Sequence, residues 1–89
     1  MDTLIVASPQ STLKEGDSVN ISCKSTSIPV TRVVLSRRVN GVDAELKSSK
    51  EAETSHTIHS VKLADSGTFV CEAFNEYGSQ RTTLNLTVE

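Results

Sequence analysis

Apolar residues recur at every second position along this chain, in short runs, and no segment shows a convincing helical period. In SVNISC, Val19, Ile21 and Cys23 fall on one face, while Asn20 and Ser22 fall on the other. In TRVVLSR, Val33 and Leu35 point one way; Arg32, Val34 and Ser36 point the other. TIHSVKL carries Ile58, Val61 and Leu63 with a slip in phase near its end. Phe69, Cys71 and Ala73 share a face in TFVCEAF, as do Leu84, Leu86 and Val88 in TLNLTVE. Each run predicts a strand with one buried and one wet face.

Turn residues separate the runs. KEGDS supplies Gly16, and NEYGS supplies Asn75 and Gly78. NGVDAE opens on Asn40-Gly41, the strongest short hairpin signal. Pro9 has no N–H to give to a sheet, so it is expected to split the first strand into two short edge pieces. Short strands at this spacing predict an all-β antiparallel sandwich or barrel. There is no internal repeat and no low-complexity linker.

Composition narrows the class. The chain has 89 residues, enough for one domain. A domain of that size buries about 60–65% of its unfolded surface, so its core is thin and a covalent staple matters. The net charge of −2 favours neither nucleic acid nor an anionic membrane. No run approaches the roughly 18–20 apolar residues of a membrane span, so no direct membrane insertion is expected of this segment. The opening MDTLIVASPQ is acidic and has no basic leader, and Met1 reads as an added initiator. Residues 1–89 are therefore expected to be a single module cut from a longer protein.

The candidate chemistry is sparse. His56 and His59 stand three apart on an expected strand and so point to opposite faces, which leaves them no shared metal. Asp43 and Glu45 lie on one side of a loop without a basic partner in view. No Ser/His/Asp order, phosphate-binding glycine loop or Cys-x-x-Cys is present. The expectation is no enzyme, no metal and no cofactor. Cys23 and Cys71 lie 48 positions apart, each on an inward face. In a two-sheet sandwich they can bond across the core, or they can stay as two buried thiols in a cytosolic domain.

Almost the whole chain resembles the immunoglobulin superfamily. ADSGTFVC is similar to the Asp-x-Gly-x-Tyr-x-Cys signature, carried here by Asp65, Gly67, Phe69 and Cys71. EGDSVNISC resembles the turn and strand around the family's first cysteine, and NEYGS resembles a late hairpin turn of its I-set branch. The resemblance implies a two-sheet antiparallel I-set sandwich with one inter-sheet disulfide, Cys23–Cys71. It also implies three departures. Leu35, twelve residues after Cys23, stands where the family has its core tryptophan. Phe69 replaces a corner tyrosine and loses its hydroxyl bond, and His56 sits where an apolar residue is usual.

Several surface expectations follow. Asn20-Ile21-Ser22 and Asn85-Leu86-Thr87 are glycosylation sequons, and both asparagines alternate with inward residues. Together with a disulfide they place the domain outside the cytosol. Alternation turns Val34, Val70 and Phe74 outward on adjacent strands, with Tyr77 nearby, as a possible apolar patch for a protein partner or a neighbouring domain. DTLIVASPQSTLKEGDSVNISC and LSRRVNGVDAELKS are similar to membrane-proximal domains of vascular-cell-adhesion-type receptors. Such receptors bind integrins through a loop aspartate on other domains, which would make Asp43 the counterpart here, although Ala44-Glu45-Leu46 departs from that motif. The resemblance implies a non-catalytic extracellular module of an adhesion or cell-surface receptor protein, for recognition or as a spacer. The alternatives are an intracellular structural domain of a muscle or cytoskeletal protein, or the ectodomain module of a receptor kinase or phosphatase.

Overall fold

A computed structural model of the chain describes residues 3–26 and 32–89. Eight strands follow in order: β1 Thr3–Ser8, β2 Thr12–Leu13, β3 Val19–Ser25, β4 Arg32–Val39, β5 Val42–Ser49, β6 Glu53–Ile58, β7 Gly67–Asn75 and β8 Gly78–Val88. One 3₁₀ turn, Leu63–Asp65, stands before β7. They form two sheets, ordered β1-β3-β6 and β2-β8-β7-β4-β5. The chain is thus an all-β immunoglobulin-like sandwich.

Alternation explains the layers. β3 buries Val19, Ile21 and Cys23; β7 buries Phe69, Cys71 and Ala73; and these faces meet with Leu13, Val33, Leu35, Val61, Leu86 and Val88 in one core. Pro9 divides the first strand as expected. β1 pairs antiparallel with β3 in one sheet, whereas β2 pairs parallel with β8 in the other. Both pieces lie at sheet edges, where a missing N–H removes no ladder bond.

Two elements differ from the sequence expectation. β5 carries no readable period, because it is an edge strand with most of its residues wet. It is held by the hairpin turn: Asn40 and Gly41 both take positive φ, 52° and 80°, as a type I′ turn requires. A bulge then leaves Leu46 as the extra residue, since Leu35 pairs with Lys47 and Ser36 with Glu45. The second difference is Leu63, expected on the inner face but 56% exposed on the 3₁₀ turn. Positive φ at Ser60 breaks the strand direction after β6. Val61 alone then drops inward, tied to the Gly16–Asp17 turn by backbone bonds of 2.9 and 2.8 Å.

Candidate functional site

The covalent centre joins the two sheets. Cys23 on β3 and Cys71 on β7 are bonded, with Cα atoms 5.3 Å apart and both residues fully buried. Leu35 lies directly beside Cys71 across the β4–β7 ladder and is equally buried. It occupies the place that the resemblance assigns to tryptophan.

Below this centre, the signature residues Asp65, Gly67 and Phe69 meet a partner that sequence reading missed, Arg37. Its guanidinium donates to the backbone carbonyls of Ala64 and Ser66, the latter at 3.2 Å. It also lies 4.0 Å from the Asp65 carboxylate and 5.8 Å from the centre of the Phe69 ring. Asp65 uses its other oxygen to cap the 3₁₀ turn, accepting from Lys62 N at 2.7 Å. Gly67 takes φ 155°, a backbone angle that side-chain-bearing residues rarely adopt. A Cβ there would meet Arg37 only at an ordinary 3.7 Å, so conformation rather than space calls for glycine. Arg37→Met keeps the stem and removes the donors. The expected loss is about 0.5–1.5 kcal/mol, from the bonds lost to carbonyls that water can partly reach. A denaturant melt with an unchanged midpoint would show that the corner holds without the arginine.

The outer face of the five-stranded sheet corrects the expected apolar patch. Val34 and Val70 do point outward and belong to no part of the inter-sheet core, yet they are only 8% and 2% exposed. Long charged side chains pair with one another across the same face. Arg81 on β8 reaches Glu72 on β7 at 3.5 Å and Asp43 on β5 at 3.6 Å. Arg38 closes the chain to Asp43 at 3.0 Å, and the Ser79 hydroxyl donates to Glu72 at 3.1 Å. To bridge from β8 to β5, Arg81 must cross β7 and β4, where Val70 and Val34 lie. Arginine stems can cover apolar neighbours while their charged heads stay wet, which accounts for the low exposure of the two valines. Phe74 is half-buried, with the Arg32 guanidinium 4.9 Å from its ring centre. Tyr77 alone of the four stands free, 84% exposed on the β7–β8 turn.

Asp43 lies within β5 rather than on a loop, and both carboxylate oxygens face arginines. An aspartate so engaged already has two basic partners within its own domain. His56 is half-buried opposite Ile21, and His59 is exposed beyond the end of β6. Among the described residues, no group of three or more His, Cys, Asp or Glu is placed to hold a metal, and no pocket opens. No helix is long and apolar enough to cross a membrane among them.

The two sequons fall on different sheets. Asn20 is half-buried in β3, the middle strand of its sheet. Its Oδ1 accepts from Thr57 at 3.0 Å, and its Nδ2 donates to Ser22 at 3.1 Å. Asn85 is exposed on β8, opposite Thr68, whose hydroxyl donates to Asn85 Oδ1 at 2.9 Å.

Comparison with known proteins agrees with this geometry. The profile of the immunoglobulin domain matches residues 4–75. Vascular cell adhesion protein 1 of the dog, Canis lupus familiaris, is 40% identical over 88 residues, which is 99% of this chain and 12% of that protein. The human protein of the same name, from Homo sapiens, is 38% identical over the same shares. The chain thus spans about an eighth of the curated relatives it matches. A crystal structure of the N-terminal four Ig domains of Dscam1 isoform 1.9 superposes with a TM-score of 0.73 at 21% identity, over 99% of this chain and 21% of that one. At that identity the likeness speaks for the fold alone.

Proposed function

This chain belongs to the immunoglobulin domain family, and from that premise we propose that it is a non-catalytic extracellular module of a cell-adhesion receptor, working as a spacer. The observation that carries the reading is the 40% identity to vascular cell adhesion protein 1 along 99% of the chain. The disulfide supports an oxidising compartment, since thiols stay reduced in the cytosol.

The spacer role rests on the direction of the chain. The domain is elongated, 40 × 26 × 16 Å. Thr3 at the start of β1 donates to Gln80 near the β7–β8 turn, at 3.3 Å. Glu89 lies nine residues further along the chain, just past the end of β8, bonded to Leu13. At about 3.3 Å per residue, entry and exit are about 30 Å apart, at opposite poles. A module built this way adds its length to a string of domains. On its outer five-stranded face the arginine–carboxylate chain accompanies Val34 and Val70, and neither valine is open to a partner.

The test uses the parent ectodomain on cells. Phe74→Ser and Tyr77→Ser are expected to leave adhesion unchanged, whereas removing residues 3–89 weakens it by bringing the outer domains closer to the membrane. Loss of adhesion with either point variant, in protein that keeps its disulfide, would make this domain a recognition module instead. Two alkylatable thiols in the unreduced parent would end the extracellular reading altogether.

A further inference from the structure

We infer that Asn85 carries an N-linked oligosaccharide and that Asn20, although it too lies in an Asn-x-Ser/Thr tripeptide, does not. The inference rests on the extracellular reading, because the modification needs the secretory pathway. The co-reactant is a lipid-diphosphate-linked oligosaccharide. Asn85 Nδ2 gives up one proton and bonds to the anomeric carbon of the first sugar. The bond from that carbon to the diphosphate breaks, and the lipid diphosphate leaves with the electron pair. Both asparagines meet the sequence rule, so the folded surroundings must separate them.

At Asn85 the side chain uses only its carbonyl oxygen, accepting from Thr68. That bond needs no Nδ2 hydrogen, so it survives the transfer and orients the amide. Among the described residues Nδ2 has no hydrogen-bond partner, and the residue is exposed. The neighbours on that face are small and uncharged: Thr83 and Thr87 on β8, Thr68 on β7, and Thr12 on β2. On one side β2 pairs only as far up as Thr87, so no strand flanks Asn85 there. Arg81, two positions further up the same face of β8, turns its guanidinium to Glu72 and Asp43, and Arg38 is paired with Asp43. A first sugar therefore meets a shallow threonine floor, with an acceptor or donor at every contact.

Asn20 is held at both ends of its amide. Its Oδ1 accepts from Thr57, and its Nδ2 donates to the hydroxyl of its own tripeptide, Ser22. Strands flank it on both sides, with Ser8 and Thr57 directly opposite. A sugar on Nδ2 must displace the Ser22 bond or turn the side chain out of a half-buried seat. Every nascent chain that accepted it would have to fold around that misfit.

The experiment secretes the 89-residue chain behind a cleavable signal, alongside N85Q, T87A and N20Q. Intact mass is taken before and after enzymatic release of N-glycans in heavy-oxygen water, which marks each occupied asparagine as a heavy aspartate. One glycan is expected on the wild type and on N20Q, and none on N85Q or T87A, with the mark at residue 85 alone. A mark at residue 20, or a disulfide-bonded secreted chain with no mark at residue 85, overturns the inference. T87A keeps Asn85 and its Thr68 bond, so it separates loss of sugar from loss of fold. Failure of the extracellular reading has a different signature: free thiols in the parent from its own cells.

Discussion

Replacing both cysteines, Cys23→Ala with Cys71→Ala, is expected to destabilise the domain by about 2–5 kcal/mol. The bond closes a loop of 48 positions, which on the chain-entropy model contributes about 4 kcal/mol. A small domain has only about 5–15 kcal/mol in total. The variant should therefore approach half-unfolded under conditions that leave the wild type intact. The effect is large because the bond joins the middle strand of the three-stranded sheet to an interior strand of the other, at full burial. Urea melts of the two proteins, without reductant, measure it directly. A loss below about 1 kcal/mol would mean that the core holds the sheets together without the staple. Intact mass, with and without reductant, supplies the control that the wild-type bond is formed.

Leu35→Ala is the second large effect. Leu35 is fully buried beside Cys71, and truncating such a leucine costs about 2–5 kcal/mol, through lost burial plus the cavity left behind. The upper half of that range is expected. Leu35 sits in mid-strand between β5 and β7, so the backbone around it cannot collapse to fill the space. Leu35→Trp tests the departure from the family pattern. Its extra volume is expected to overpack, at about 1–3 kcal/mol, because the facing side chains have closed over a leucine. A near-zero change for Leu35→Ala in a denaturant melt would mean that Leu35 does not carry this part of the core. A gain in stability for Leu35→Trp would mean that the core keeps space for a ring.

Much of this architecture is written in single-strand alternation. The inward faces of β3, β7 and β8 follow from which residues stand two apart. So does the opposition of Cys23 and Cys71, once two sheets are assumed. Pro9 and Asn40-Gly41 act through their own backbones, so the split first strand and the hairpin turn are also legible. β5 was not, since an edge strand wet on both faces has no contrast for a period to show.

The tertiary structure decided what covers what. Alternation turns Val34 and Val70 outward, but outward proved not to mean exposed. Arg81 belongs to a strand distant in sequence from Asp43, and only the strand order β8-β7-β4-β5 lays it across the valines. Arg37 likewise reads as one more polar residue on β4 until the turn at Leu63–Asp65 is folded against it. Both sequons meet the same tripeptide rule, and their hydrogen bonds to Thr57 and Thr68 come from neighbouring strands. In each case the reason is the same. Periodicity is a property of one strand and reports the direction of a side chain, whereas burial and pairing depend on long side chains arriving from strands far away in sequence, and no local pattern encodes where they land.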